Sequence, residues 1–492
     1  MILLNSSLPA FMNYILATAY GLLLAYTIIR ILLDTHSTAK ALGYILLVLI
    51  LPLMGMLIYF SFGINYRHKK SNKKRTIALD EFTKSFKGSV PDDTKELLKK
   101  YAGSLDKYYD LFHFIYSLGS EKLSVNEFKL LTNGEEKFPE VLKTLETAKH
   151  FIHMEYYAWE NDTRGNQIKD VLLRKIKEGV KVRIMYDDYA SRKMKHNIVR
   201  QLKAGGAEIY PVIKVKLVAI ANRVNHRDHR KVIIMDGHTG FVGGINVSDR
   251  YDNSIDTGLY WRDTHVKIMG GTVHNLQRHF IVNWNVCQPN KLSVSNKLFP
   301  EVKEIADKGE VQLAQIVAGG PLYPLSPIML SYFKIFTVAK EKLYVTNPYF
   351  IPNDSILDAL KQAALSGVDV RILMPEKSDS AVVGAASKFY YEELLQAGVK
   401  IFLYKKGFVH AKTVVADGDL SVVGSANMDI RSFDLNFEIM SVIYGAPFAK
   451  QLEGAFLNDM KECKELSYES WIKQSTFRKL TYAAARLVSS FL

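Results

Sequence analysis

Hydrophobic and polar positions change their rhythm twice along the chain. From Leu8 to Leu33, and again from Ala41 to Gly63, the sequence is almost wholly apolar. Each run is longer than the ~20 residues that a helix needs to cross ~30 Å of hydrocarbon. These runs predict a hairpin of two transmembrane helices within residues 1–65, with Arg30 snorkelling to the headgroups. A cleaved signal peptide fits less well, because Met1-Ile2-Leu3-Leu4-Asn5 has no basic region and a second apolar run follows at once. A charged connector, 66–107, comes next. Beyond it the pattern becomes short apolar runs alternating with amphipathic helical stretches, the alternation of an α/β protein.

That last region aligns with itself. Ala148-Lys149-His150-Phe151-Ile152-His153-Met154-Glu155-Tyr156-Tyr157 occupies the same place as Ala339-Lys340-Glu341-Lys342-Leu343-Tyr344-Val345-Thr346-Asn347-Pro348-Tyr349, each reading as a buried strand that reaches a polar edge. Glu178-Gly179-Val180-Lys181-Val182-Arg183-Ile184-Met185 matches Ser366-Gly367-Val368-Asp369-Val370-Arg371-Ile372-Leu373, a helix stopped by glycine and followed by a strand. A third pair centres on Gly205-Gly206 and Gly398. The spacing is too long for a solenoid and predicts duplication of a whole domain, with halves at 108–298 and 299–492. Each half is expected to be an α/β/α sandwich on a mixed or largely parallel sheet, the two related by approximate two-fold symmetry.

The fourth matched pair carries the chemistry. His229-Arg230-Lys231-Val232-Ile233-Ile234-Met235-Asp236 returns as His410-Ala411-Lys412-Thr413-Val414-Val415-Ala416-Asp417, and each continues to a small-residue turn and an Asn: Gly243-Gly244-Ile245-Asn246 and Gly424-Ser425-Ala426-Asn427, with the same His-to-Asn offset. On a strand, residues i and i+2 face the same way, so His229 with Lys231 and His410 with Lys412 each present an imidazole beside an ammonium. Asp236 and Asp417 complete the motif at odd spacing, which turns them to the opposite side and suits a structural role. The small-residue turns permit close backbone approach, and Asn246 and Asn427 can donate to a phosphoryl oxygen without adding charge. A lone His-x-Lys is ordinarily a surface pair; two copies with matched asparagines point to phosphodiester chemistry. One imidazole would attack phosphorus while the other protonates the leaving alkoxide and then activates the acceptor. The halves must therefore meet face to face. Carboxylates should orient the rings, and Asp263 and Glu438 stand at comparable downstream positions. Glu155 with Tyr156 either lines the site or ends a strand, while His226 and His265 read as packing residues.

The formal net charge of +14 suits an anionic partner, lipid or nucleic acid. The cluster Arg67-His68-Lys69-Lys70-Ser71-Asn72-Lys73-Lys74-Arg75, just after the second apolar run, places that side of the hairpin and all that follows in the cytoplasm by the positive-inside rule. Cys287 and Cys463 are too few for a disulfide framework or a zinc site. The C-terminal stretch from Trp471 to Leu492 mixes Lys473, Arg478, Lys479 and Arg486 with apolar residues, and suits either an amphipathic helix on a membrane or a helix packed on the second half.

Together the two motifs, the hairpin, Asn225-His226-Arg227-Asp228-His229-Arg230-Lys231, Trp261-Arg262-Asp263-Thr264-His265 and Gly424 to Phe433 leading into Asn436-Phe437-Glu438 resemble the phospholipase D superfamily, defined by its HKD motif, and within it the bacterial cardiolipin synthases. Asp228 departs from the Asn common just before the first catalytic His, and a carboxylate there can alter the pKa of His229. The resemblance implies two phospholipase D-like halves, no cofactor and no metal. It further implies phosphatidylglycerol in an anionic membrane as substrate, no nucleic-acid partner, and location in the cytoplasmic membrane as a multi-pass protein. By this resemblance His229 is the nucleophile, forming a phosphatidyl-histidine, and His410 the acid and then base. A hydrolytic phospholipase D or a phosphatidylserine synthase would use the same residues. A membrane-tethered nuclease would share the charge and the chemistry, but no aromatic stacking platform is evident.

Overall fold

A computed structural model of the chain describes residues 10–35, 38–63, 70–90, 92–101, 103, 106–119, 121–212, 226–288, 290–302, 312–323 and 325–489. Arg67 to Lys69 of the basic cluster lie outside these. The chain forms two compact units, Met1–Lys74 with Val215–Asn225, and Arg75–Lys214 with His226–Leu492.

In the first unit, α1 (Ala10–Asp34) contains one stretch, Phe11–Asp34, long and apolar enough to cross a membrane. The second apolar run, expected as one helix, is divided into α2 (Thr38–Ile50), α3 (Pro52–Ile58) and a wider π-type turn at Tyr59–Gly63. Pro52 explains the break. Its ring disfavours helical geometry at the preceding residue, and Leu51 sits at φ −126°, ψ 71°. At Gly55 the chain folds back so closely that a Cβ would lie 2.6 Å from the Leu47 carbonyl oxygen. Ile31, Ala41, Val48, Met56 and Tyr59 are buried together where these segments pack. Arg30 pairs with Asp34 at 2.6 Å one turn on.

The second unit is built on a mixed sheet. Its first strands are β1 (Ser124–Thr132), β2 (Phe151–Tyr156), β3 (Lys181–Tyr186), β4 (Glu208–Pro211), β5 (Lys231–Met235), β6 (Thr239–Gly243), β7 (Trp261–Arg262) and β8 (Thr264–Gly270). Later come β9 (Gln312–Gly319), β10 (Lys342–Thr346), β11 (Phe350–Ile351), β12 (Asp369–Pro375), β13 (Lys400–Tyr404), β14 (Phe408–Val409), β15 (Thr413–Ala416), β16 (Leu420–Gly424), β17 (Met428–Asp429), β18 (Glu438–Tyr444) and β19 (Cys463–Glu465). From the β1–β9 pair the sheet runs β1-β8-β6-β5-β2-β3-β4 one way and β9-β18-β16-β15-β10-β12-β13-β19 the other. Strands β2, β3 and β4 are mutually parallel, as are β10, β12 and β13, while β5, β6 and β8, and likewise β15, β16 and β18, run antiparallel. Amphipathic helices such as Thr163–Lys177 and Asp354–Leu365 bury one face each, and Thr272–Cys287 is buried over most of its length. One hydrophobic cluster draws Val232, Ile234 and Val242 from the first half and Val415, Val423 and Ile439 from the second.

Two short stitches between the halves position the site. Strands β7 and β14 pair in parallel, Trp261 with Phe408 and Arg262 with Val409, and the His410 N–H then donates to the Arg262 carbonyl at 2.6 Å. In the other direction Asp228 bridges Phe437, and the His229 N–H donates to the Phe437 carbonyl at 2.9 Å.

Candidate active site

Both motif histidines precede their strands by a residue or more, because their backbone N–H groups are taken by these cross-half bonds and not by the ladder. Lys231 and Lys412 follow at i+2, fully buried. Lys231 Nζ donates to the His229 carbonyl at 2.6 Å, and Lys412 Nζ donates to that of His410. The stitches also exchange carboxylates between halves. His229 Nδ1 lies 3.0 Å from Glu438, and His410 Nδ1 lies 2.7 Å from Asp263 Oδ2. Asp263 and Glu438 thus meet the rings, each holding the Nδ1 edge of the histidine of the opposite half.

His229, His410, Asn246 and Asn427 line a single cavity of about 560 Å³, together with Tyr157, Tyr251, Trp261, Tyr349, Arg227 and Arg431. Its walls combine aromatic and aliphatic side chains with charged and polar ones, among them Asp379 and Asp429, and the aromatic rings crowd the histidines. Tyr157 packs edge-on to His229 at 4.7 Å between centroids, and Trp261 and Tyr349 flank His410 at 5.6 and 6.1 Å. In such surroundings charge is costly. Burial pushes the His229 imidazole down to about 4 and that of His410 down to about 3, although the adjoining carboxylates oppose the shift. Burial likewise lowers the Lys231 and Lys412 ammonium groups to about 7 and about 8. Each imidazole also feels the lysines of both halves, a sign of one electrostatic centre. Burial works to raise the Glu438 carboxyl, but His229 and Lys231 overcome it and hold the group ionised. Both rings are therefore neutral at pH 7, whereas the sequence reading asked for one of them protonated. A phosphodiester anion beside an imidazole opposes the cost of charging it, so the acid form belongs to the substrate-bound site.

The asparagines differ in their surroundings. Asn246 accepts from the Ala158 N–H at 3.1 Å and donates to the Tyr251 hydroxyl at 2.6 Å, which leaves one amide hydrogen uncommitted among the described residues. The Asn427 carbonyl oxygen is buried with no hydrogen-bond partner among the described residues. Asp236 and Asp417 face away, as parity requires, and cap backbone turns. Asp236 accepts from the N–H groups of Lys149, His150 and Phe151, and Asp417 from those of Lys340, Glu341 and Lys342. Both hold left-handed backbone, φ 50° and 51°.

Gly244 was expected to bring backbone close to phosphate, but what it makes room for is Asp263: a Cβ would lie 2.1 Å from Asp263 Oδ1. In the second half Ser425 stands at that place and donates to Glu438 Oε2 at 2.5 Å. Asp228 turns to Glu155 and Arg230, and burial beside Glu155 raises its carboxyl well above the usual range. Glu155 is buried among Arg230 and Asn283, not at the cavity, and Tyr156 belongs to the core. His226 Nδ1 meets the Leu435 carbonyl at 3.2 Å, and His265 is fully buried, so both pack as expected.

The family described as "Cardiolipin synthase, PLD-like domain" matches residues 141–282 and 332–460, and one described as "Phospholipase_D-nuclease N-terminal" matches 22–63. "Cardiolipin synthase 2" of Bacillus anthracis is 38% identical over 464 residues, 94% of this chain and 88% of the relative. "Cardiolipin synthase" of Listeria monocytogenes is 36% identical over 493 residues, 97% of this chain and 99% of the relative. The chain belongs to the cardiolipin synthase family. The crystal structure of phosphatidylserine synthase from Haemophilus influenzae has the same fold, with TM-score 0.56 at 16% identity over 74% of this chain and 95% of that one.

Within this cardiolipin synthase family member, several site residues escape sequence reasoning. Tyr157 and Tyr349 carry a usable signal, since each follows a matched strand of the repeat, one residue out of register with the other. Lys137 carries none. It lies on helix Asn133–Leu145, is fully buried, and donates to the carbonyls of Ile245 and Asn246 at 3.3 and 3.2 Å, tying down the first asparagine turn.

Proposed function

We propose that the protein is a cardiolipin synthase, a phosphatidyltransferase that joins two phosphatidylglycerol molecules and releases glycerol. The observation that carries this reading is the pair of histidines in one cavity, each oriented by a carboxylate from the opposite half. Neutral His229 attacks the phosphorus of the first lipid through Nε2, while Lys231, Lys412 and the asparagine amides stabilise the charge that develops on the phosphoryl oxygens. The P–O bond to glycerol breaks, and the alkoxide takes a proton from His410, leaving a phosphatidyl-histidine. A terminal hydroxyl of a second phosphatidylglycerol then gives its proton to His410 and attacks phosphorus, and the P–N bond to His229 breaks to release cardiolipin. One phosphodiester replaces another, so no nucleotide is consumed. The lysines take the charge-neutralising part that a divalent ion has in other phosphoryl transfers, and no cofactor, metal or nucleic-acid partner enters the scheme.

The wider architecture in this reading is a duplicated body. Residues 108–298 and 299–492 are two α/β/α halves related by approximate two-fold symmetry, supported by the matching strand orders on either side of the β1–β9 pair. Residues 1–65 form a multi-pass anchor in the cytoplasmic membrane and 66–107 a basic connector, with the catalytic body facing the cytoplasm. Helix α1 supports one crossing; the return crossing is assigned to the broken α2–α3 segment.

The deciding test gives the purified protein phosphatidylglycerol alone. Cardiolipin and glycerol in equal amounts support the proposal. Phosphatidic acid as the sole product would make it a hydrolase, and full inhibition by EDTA with rescue by a divalent ion would overturn the metal-free scheme.

A further inference from the structure

The C-terminal helix Thr476–Ser489 has two apolar faces, and the protein body covers only one of them. Against the body, Tyr482 stacks on Trp471 at 6.2 Å, the Arg486 guanidinium lies 4.4 Å from the Phe389 ring, and Lys479 pairs with Glu392 at 2.9 Å. These contacts hold the helix to the second half, one of the two placements that the sequence allowed. On the opposite side Phe477, Leu480 and Leu487 follow helical spacing, i, i+3 and i+10, and project outward at 78%, 63% and 71% exposure. Three bulky side chains on one outward stripe of an already docked helix need a reason.

Charge and position supply one. The helix contains Arg478, Lys479 and Arg486 and no carboxylate, and exposed Lys473 precedes it. It packs along helix Ala381–Lys388, whose Val383, with the N-cap Ser380, lines the active-site cavity, and whose Val382 is itself 40% exposed. The apolar stripe is thus joined through one helix to the wall of the lipid-transfer cavity. Lys479 and Arg486 are engaged by the body, but Arg478 and Lys473 are exposed beside the stripe; a second copy would bring like charges together there, whereas an anionic bilayer accounts for both the stripe and the charge.

We propose that Phe477, Leu480 and Leu487 insert into the headgroup and upper acyl region of an anionic leaflet, with Arg478 and Lys473 on its phosphates, and so seat the cavity wall on the surface that supplies substrate. The proposal rests on the lipid-transfer reading above, but its test needs no turnover.

In full-length protein reconstituted in vesicles of phosphatidylglycerol and phosphatidylcholine, a nitrobenzoxadiazole label is placed at Phe477→Cys, with Cys287→Ser and Cys463→Ser removing the other thiols. Quenching by acyl-chain doxyl lipid, several-fold stronger with phosphatidylglycerol present than in phosphatidylcholine alone, is the expected result. Quenching by aqueous iodide alone in both vesicles overturns the inference while leaving the catalytic reading intact. As a second measurement, Phe477→Asp/Leu480→Asp/Leu487→Asp should raise the surface concentration of phosphatidylglycerol needed for half-maximal rate by about tenfold, with kcat within about twofold. Unchanged kinetics, or a shift from dimer to monomer in detergent with unchanged lipid dependence, would overturn it, the latter assigning the stripe to self-association.

Discussion

Glu438 reaches across from the second half of the chain to hold Nδ1 of His229 at 3.0 Å, 209 residues earlier in sequence. The reciprocal bond from Asp263 to His410 makes neither half complete alone. If His229 is the nucleophile, the two histidines separate kinetically. His410→Ala should still form a phosphatidyl-histidine from phosphatidylglycerol, slowly, and then stall; His229→Ala should form none. Protein quenched in alkaline denaturant and analysed by mass spectrometry distinguishes them, and an adduct on His410 in the His229 variant would reverse the assignment.

Replacing the orienting carboxylates keeps size while losing charge. Glu438→Gln and Asp263→Asn should each lower kcat by about 10²–10⁴-fold, with KM little changed, because an amide can present its N–H to the ring and favour the wrong tautomer. Steady-state kinetics on mixed micelles would measure this. A loss confined to KM would mean that the carboxylates serve binding.

Acid should destabilise the fold before it denatures the carboxylate pairs. Burial holds His153 and His410 at about 3, His229, His274 and His279 at about 4, and His265 well below its ordinary value. The unfolded chain binds protons at these positions from about 6.5 downward while the folded chain does not, so stability is present above that pH and falls as pH drops towards 4. Each histidine contributes up to ~1.4 kcal/mol per pH unit in that window. Glu155, Asp162, Asp187, Asp228, Asp429 and Asp459, whose carboxyls burial raises, act in the opposite direction, so the histidine part is read from the difference between wild type and a histidine variant. A melting temperature that declines steadily from pH 6.5 to 4.5, and declines less steeply in His229→Gln/His410→Gln, is expected. A flat profile would sink this account.

The sequence was informative where geometry is local. The i, i+2 relation of His229 to Lys231 and the outward turn of Asp236 follow from strand parity alone, and the repeat exposes the alternation of strands and helices. What it could not reveal depends on contact between halves. Nothing in the spacing says that Glu438 serves His229 and not His410, because the exchange is made by two short backbone stitches, His229 to Phe437 and His410 to Arg262. The break at Leu51 was readable from Pro52, yet the hydropathy of the run from Ala41 to Gly63 overrode it. Lys137 looks like any helical lysine until the fold buries it.

The matched turns are not interchangeable. Gly244→Ser, which copies the second half into the first, places a Cβ into Asp263 Oδ1 and should cost ~1–3 kcal/mol in overpacking while displacing the carboxylate from His410. Activity should fall by at least about 100-fold. Ser425→Gly, the converse, loses one hydrogen bond to Glu438 and should retain a measurable fraction of wild-type kcat. Equal effects of the two changes would refute the packing argument.

The motif aspartates offer the sharpest separation of structure from chemistry. Asp236 accepts three backbone N–H groups and sits in left-handed backbone that Asp, Asn and Gly tolerate best. Asp236→Ala strands those donors and adds strain, for a loss of several times the ~1 kcal/mol of an ordinary hydrogen bond. Asp236→Asn keeps an acceptor and the backbone preference, so its loss should be smaller. Neither carboxylate touches the cavity. Protein of either variant that remains folded should therefore form phosphatidyl-histidine at near wild-type rate, while the melting temperature falls by several degrees more in Ala than in Asn. A variant that melts like wild type but cannot form the adduct would return Asp236 to the catalytic set.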